Sequence, residues 1–537
     1  MGEELMSNSC KLITNIAGGI TKSNLAKVGL GESINMYPEK TDISEHSCSI
    51  LMRTVMGEKL FTDQVKGRCR GMYRVSRGYN NRPTLYGVFG NTLYLIDEDK
   101  SVYTIATLES HNSECHMTET GGYGSAHPHL IIVDGTFVYS LNVGLSIADQ
   151  MVDFRTIDLP LRVNDEFQHI KPTHVAYLYG YLIVNDSETD AFYTSYQYPF
   201  ETRRDEDGNL LDNEENYDLF RVHTEQFKNY GFVTYSEWSP DNTIALISNG
   251  SKLYTFGTRS WQAFSFNDDK NNPFSSPDNA AGNIGIKAPN SVAMLGPTVI
   301  WMGSSDIGED GIFMVQGTEI KRVSTQDIER EFTQLTNPEN GYASIWQEHQ
   351  HVFYSLTFED SKKTFVYDIS EDSWHYRASY DETNNLTYWR YNHVTFAYNR
   401  NMVGTFDNVC FMDENYYKEH DGRPILKLRR GGVLTSNDQP FYIDEIELIV
   451  NNGQHSFDNH YDNMELNPRV SIRNSWDGSL FSDYEDAYLG KIGRYDWITS
   501  FYNMGMGKYF TLEISTTENI PFSIQNLKIS WSPTSIF

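Results

Sequence analysis

"IALISNGSKLYTFGTRSWQAF" occupies residues 244–264. An apolar run meets Asn249–Gly250, and a second run opens at Leu253 and closes on Phe256–Gly257. Asn-Gly between two β-prone runs predicts a hairpin, because both turn positions favour positive φ. The pattern recurs at 85–97, 129–141, 175–186 and 292–303, each with a turn glycine, and at 343–358 and 394–407 without one. The turn glycines are Gly90, Gly135, Gly180, Gly250 and Gly296, spaced 45, 45, 70 and 46 residues apart. Periods of roughly 40–50 residues are those of four-stranded propeller blades. The chain is therefore predicted to be all-β, with a six- or seven-bladed β-propeller spanning residues 48–423. A large sandwich or a β-helix is the alternative, but neither needs this spacing. No WD dipeptide or kelch signature accompanies the repeats.

The long gap between Gly180 and Gly250 holds "RRDEDGNLLDNEENYD" (203–218), with seven acids from Asp205 to Asp218. Such a stretch cannot join a core and reads as an insertion on one face of the wheel. Asp205, Asp207 and Asn209 alternate like calcium ligands, but Gly208 comes too early for an EF-type loop, so a solvated loop is the reading taken. Past the linker "KEHDGRPILKLRRGGVLTSNDQP" (418–440), longer alternating runs at 441–453, 468–484 and 508–531 lack the blade period. They predict a C-terminal antiparallel β-sandwich over 424–537. Residues 1–47 read as an extended N-terminal arm.

Composition bounds the function. The 537 residues carry 72 acids against 43 bases, a net charge of −29, which argues against a protein that grips nucleic acid by neutralising phosphates. No apolar run approaches the roughly 18 residues of a membrane span, and the N-terminus predicts no signal peptide. Five scattered cysteines (Cys10, Cys48, Cys69, Cys115, Cys410) form no CxxC pair and predict buried free thiols. His127 with His129, and His349 with His351, stand two apart and could each share a strand face as metal ligands, but no third ligand is identifiable. "SWDGSLF" (475–481) loosely resembles the Asp-box turn of sialidase-type propellers, yet it occurs once and outside the propeller. No nucleophile elbow, phosphate loop or metalloprotease motif is present, so neither catalytic residue, cofactor nor metal is expected.

Four collinear stretches carry a more specific resemblance. Glu237, Pro240, Asp241, Phe256, Gly257 and Ser260 form a Glu-x-x-Pro-Asp segment followed by a hairpin ending Phe-Gly-x-x-Ser. Ala288, Pro289 and Ser291, then Gly317, Arg322, Ser324, Thr325, Ile328 and Glu329, mark a blade ending in a short Ser-Thr-led helix. Tyr367, Asp368, Trp374, Arg377 and Ser379 form a blade closure, and 444–482 is similar to a C-terminal sandwich. Together they resemble the tail-hub, head-completion or packaged-DNA stabilisation proteins of short-tailed phages, from about residue 85 to the end. The acidic insertion and the N-terminal arm depart from that pattern.

Each matched residue also has a purely structural reading. Phe256–Gly257 ends a strand, Ser324 or Thr325 caps a helix through Ile328, with Glu329 in its first turn, and Trp374 packs between blades. What the resemblance implies is a virion component of the phage tail made in the host cytoplasm, not an enzyme. Such a hub is a homohexamer below the head-to-tail adaptor, continues the DNA channel, retains the genome and attaches needle, fibre or tailspike proteins. Carboxylates lining a lumen would let DNA slide without specific binding. Subunit contacts are expected at less acidic parts of the chain, with Lys427, Arg429 and Arg430 as candidates to pair with a neighbour's carboxylates; a solvated strand edge is the alternative for these three. A propeller-based glycan-binding or glycan-cleaving protein is the competing function, and a cellular interaction scaffold a third.

Overall fold

The computed structural model describes residues 10–14, 16–22, 30–40, 50–121, 128–157, 160–163, 166–195, 232–236, 238, 240–267, 269, 273–277, 280–305, 308, 310–317, 319–431, 433–454 and 467–534. The acidic segment 203–218 lies outside them, as do Cys48, His127 and Glu237.

The hairpin that opens at Ala245 is one of seven successive antiparallel arrays among the described residues; six are separate small sheets, and the array 342–380 continues into a larger sheet. The sheets run in chain order: 69–107, 116–157, 175–235, 245–282, 284–322, 342–380 and 392–413. The last is completed by Gly57–Thr62, whose register puts Glu58 opposite Met412. A strand from ahead of the first sheet therefore closes the seventh. An additional hairpin, Pro160–Val163 with Glu166–His169, stands between the second and third sheets.

The central strands of these sheets are covered on both faces and so read as near-continuous apolar runs; His129–Val133 and Val138–Asn142 are buried throughout. Seven apolar cores lie between successive sheets. Val88 and Leu130 belong to the core between the first and second, Val133 and Val184 to the next, and Ile183 and Leu253 to the one after. Phe256 packs with Trp301, Ile300 with Tyr354, and Phe353 with Val403 in the following three. The last core joins Met402 and Val409 of the seventh sheet to Leu85 and Phe89 of the first. The series closes into a ring, and each fully buried aliphatic or aromatic side chain contributes roughly 1.5–3 kcal/mol to it.

All five turn glycines have positive φ, between 57° and 86°. They do not mark equivalent hairpins. Gly90 and Gly135 join second to third strands, whereas Gly180, Gly250 and Gly296 join first to second. The turn that opened the reading is also displaced by one residue. Ser248 pairs with Leu253, so Gly250 and Ser251 are the turn residues, and only Gly250 has positive φ. Asn249 serves through its side chain, whose oxygen accepts from the N–H groups of Ser251 and Lys252. In the long gap the chain leaves the third sheet at Thr194 and returns at Phe232, which pair directly.

The C-terminal strands form a second unit of two sheets around one core, including Ile446, Ile472, Phe510 and Ile529. Phe441–Val450 alternates buried and exposed residues, as a strand with one covered face requires. The expected arm is corrected here. Cys10–Thr14 pairs with Ser523–Pro533, Met36–Lys40 and Ile50–Thr54 extend the same sheet, and Leu30–Ile34 pairs with Lys427–Arg430 in the other. Met36 and Tyr37 are fully buried. Strand Leu30–Ile34 also meets the outer strand Ser373–Tyr380 of the sixth ring sheet, so one sheet runs continuously from the ring into the second unit. A boundary between 47 and 48 thus separates Met36–Lys40 from Ile50–Thr54, two strands that pair with each other.

Candidate functional site

The innermost strand of each ring sheet faces the centre, and there the polar side chains of several sheets converge. Arg68 leads this constellation. Its guanidinium donates to Glu114 at 2.6 Å and to Glu359 at 3.1 Å, and it lies 5.1 Å from the Tyr342 ring. His393 meets the other Glu114 oxygen at 2.6 Å and stacks on Tyr342. Burial opposes ionisation of Glu114, but facing His393 and Arg68 outweigh it and hold the carboxyl at about 2. Deeper in, the His116 and His174 rings stack at 3.8 Å, and His116 Nε2 lies 3.0 Å from the Asn290 side-chain oxygen. Desolvation lowers both imidazoles, His174 well below its ordinary value.

A cavity of about 570 Å³ opens beside Arg68, lined also by Arg70, Ser113, Glu114, Glu359 and Asp360. Its cations are committed. Arg70 donates to the carbonyls of Ser113, Gly90 and Ser110 and to the Ser110 hydroxyl, tying the loop between the first two sheets to a hairpin turn. The arrangement draws together residues of, or next to, six of the seven sheets, all but the fourth; it cross-braces the wheel.

The motif residues build structure in the same way. Asp241 accepts from the N–H groups of Arg259 and Ser260 at 2.6 and 3.1 Å, closing the turn after Phe256–Gly257. A side chain at Gly257 would meet that carboxylate at 2.3 Å, so the Asp241 side chain or the turn would have to shift. Thr325 caps the helix Gln326–Phe332 by accepting from Ile328 N–H, and Ser324 bonds Glu329 in its first turn. Trp374 lies in the core between the fifth and sixth sheets and donates to the Val323 carbonyl at 3.0 Å.

His349 and His351 are not a ligand pair, and His127 lies outside the described residues. Glu348 pairs with His351, which makes His349 and Gln350 the turn residues, with φ of 47° and 70°, so His349 and His351 share no strand face. His351 is buried against Asp368 at 2.6 Å, and His129 is buried with its Nδ1 3.1 Å from the Ser140 hydroxyl. Among the described residues no group of three or more His, Cys, Asp or Glu could hold a metal ion. Cys69, Cys115 and Cys410 are free and buried. In the Asp-box-like stretch, Asp477 accepts from Ser479 and Leu480 N–H at 2.8 Å each, and those bonds lower its carboxyl to about 2.

The three bases proposed for subunit contact are also corrected. Lys427–Arg430 is an interior strand, paired on both sides, not an edge. Lys427 is fully buried and donates to the Glu518 carbonyl, and burial pushes its ammonium down to about 7. Arg429, 3% exposed, donates to the carbonyls of Ile16 and Gly19 at 2.7 and 3.2 Å, with no carboxylate partner among the described residues. Arg430 pairs with Glu513 and Glu32 of its own chain. Arg429 and Arg430 anchor the N-terminal strands, and all three groups offer a neighbour little charge.

The sheets and their converging polar centre define an all-β ring scaffold joined to a second β unit. Residues 223–415 match the family described as Bacteriophage P22 Gp10, beta-propeller, which supports a phage structural protein family and a β-propeller. Among curated proteins none matches this sequence. Among solved structures, the N-terminal domain of Nup159 aligns at 9% identity over 74% of this chain and 98% of that one, with a TM-score of 0.34. The exo-β-1,3-galactanase of Phanerochaete chrysosporium aligns at 8% identity over 81% and 97%, with a TM-score of 0.28. Neither carries an argument about function. No helix among the described residues is long and apolar enough to cross a membrane.

Proposed function

We propose that this chain is a tail-hub component of a short-tailed phage virion, which extends the DNA channel below the head-to-tail adaptor, retains the packaged genome and attaches needle, fibre or tailspike proteins. The observation that carries the reading is the match of residues 223–415 to the P22 Gp10 propeller family. The seven ring sheets are then the seven blades of one closed propeller, and the two-sheet unit a β-sandwich completed by N-terminal strands. Six copies would form the ring. A net charge of −29 suits a wall past which DNA slides, because carboxylates repel phosphate and create no binding sites.

On this reading the chain is not an enzyme, and its function lies in surfaces. The test is direct. Purified virions are imaged and their proteins identified by mass spectrometry; the chain is expected as a ring between head and tail fibres. Its absence from particles would overturn the proposal. Turnover of an oligosaccharide by the free protein, lost on changing one carboxylate, would establish the glycan reading instead.

A further inference from the structure

The outer side of one sheet in the C-terminal unit carries a row of aromatic and charged side chains that the core does not use. Arg469–Ser475 pairs there with the edge strand Glu485–Tyr488, Arg469 opposite Tyr488 and Ser471 opposite Asp486. Val470 and Ile472 belong to the core and Ala487 packs against it. Alternation then puts Arg469, Ser471, Arg473, Asp486 and Tyr488 on the outer side. Tyr484 joins them, because its hydroxyl donates to Glu513 at 2.7 Å and Arg473 lies 4.7 Å from its ring. Arg469 lies 5.2 Å from the Tyr488 ring and donates to its hydroxyl at 3.3 Å. Between the two rings, Asp486 accepts from the Ser471 hydroxyl at 2.7 Å. Both tyrosines are thus held by their polar ends, yet Tyr484 is 49% exposed and Tyr488 44%.

Two fixed, half-exposed rings with a carboxylate between them suit a sugar chain. A pyranose has a face of polarised C–H groups, which the negative face of an aromatic ring attracts. Its hydroxyls both donate and accept, so they match an acceptor-only carboxylate and donor-only guanidinium groups. Rings already in place lose little freedom when a ligand arrives. Charge narrows the ligand class. Residues 469–498 carry four bases against five acids, close to neutral within a chain of net charge −29. The two arginines are paired on the spot, Arg473 with Glu513 at 2.6 Å and Arg469 with Asp486 at 4.0 Å. Such a surface gives neither a phosphate backbone nor a charged protein face a Coulombic hold. We propose that this row binds an uncharged polysaccharide, one sugar stacked on Tyr484, another on Tyr488, and hydroxyls bonded to Asp486 and Arg469. Four residues of extended chain separate the rings by roughly 13 Å, so a chain of sugars reaches both and a single sugar does not. The hub reading supplies only the source of such a chain, a host surface; the binding stands without it.

The full chain is applied to an array of dextran, mannan, β-1,3-glucan and neutral pyranose oligosaccharides of increasing length, with heparin as the anionic control. Binding is expected to neutral chains, to strengthen with chain length, and to be insensitive to salt, because no ion pair forms. Tyr488→Ala should weaken it about tenfold or more, as truncating an aromatic anchor does. Asp486→Ala, another exposed change, should also weaken it and keeps the test decisive if the tyrosine variant melts early. Tyr442→Ala removes a tyrosine of similar exposure, 45%, from the other sheet and should bind like the parent. Failure to bind any neutral chain overturns the inference, as does binding that falls steeply with salt. So do folded Tyr488→Ala and Asp486→Ala proteins that bind like the parent. Failure of the hub reading is a separate result: the chain would bind polysaccharide through this row yet be missing from virions.

Discussion

Arg377 and Glu348 form an ion pair of 3.0 Å in which neither side chain has any solvent exposure. The guanidinium lies 4.9 Å from the Trp346 ring and 4.9 Å from the Trp389 ring, inside the core between the sixth and seventh sheets. Glu348 also accepts from Trp346 Nε1 at 3.2 Å. Arg377 belongs to the Trp-x-x-Arg-x-Ser motif, so the motif's charged residue braces the ring from within.

Removing one partner of this pair leaves the other charge buried and uncompensated. Arg377→Ala is expected to cost about 3–5 kcal/mol in urea unfolding. The double variant Arg377→Met with Glu348→Leu should cost less than either single change, because no charge remains to be desolvated. Single variants within experimental error of the parent would show that solvent reaches the pair.

Glu58 sets a pH dependence. Burial, then the Glu419 charge, raises its carboxyl from 4.5 to about 8, while Trp389 Nε1 donates to it at 2.9 Å. The folded state thus binds this proton more tightly than the unfolded state. The stability it contributes is fully present below about pH 4.5 and is lost as pH rises to about 8, a loss on the order of 3–5 kcal/mol. Glu58→Gln keeps an oxygen for Trp389 and should flatten that decline in melts run from pH 5 to 9. An unchanged slope would assign the decline to other groups.

Thr325→Ala removes the side chain that accepts from Ile328 N–H at the start of Gln326–Phe332. The expected cost is about 1 kcal/mol, the usual value for an N-cap, with Thr325→Ser near neutral. Denaturant midpoints compare the three proteins.

Arg429→Glu places a carboxylate against the carbonyls of Ile16 and Gly19, which now receive a guanidinium. It should destabilise the single chain by about 3 kcal/mol or more, since a buried unpaired charge replaces a satisfied one. Circular dichroism melts would register this before any assembly assay. Normal melting with failed ring formation would restore Arg429 to the subunit interface.

Deleting residues 205–218 shortens a connection whose ends, Thr194 and Phe232, are already paired. Loop-closure entropy changes by only about 0.4 kcal/mol on such a shortening. Thermal stability should stay within about 1 kcal/mol of the parent. Loss of the folded state would show that the segment packs as part of the third sheet.

Local chemistry was readable directly from residues. Seven segments of paired apolar runs announced seven hairpins, because strand and turn propensity act over a few neighbours. The cap at Thr325, the turn at Asp477 and the strand end at Phe256–Gly257 were legible for the same reason. What tertiary structure alone decided is where distant segments meet. Gly57–Thr62 closes the seventh sheet and Cys10–Thr14 joins Ser523–Pro533, pairings across some 350 to 520 residues of chain that no local pattern encodes. Lys427, Arg429 and Arg430 looked like a basic surface because charge normally seeks water. Their strand became interior only when Leu30–Ile34 and Tyr509–Thr516 paired on either side; backbone carbonyls then took the place of water at Lys427 and Arg429, and carboxylates of the same chain at Arg430. His349 and His351, two apart in sequence, were separated by a turn whose position depends on strand register. Periodicity names the elements; long-range backbone pairing and desolvation decide which charges end inside.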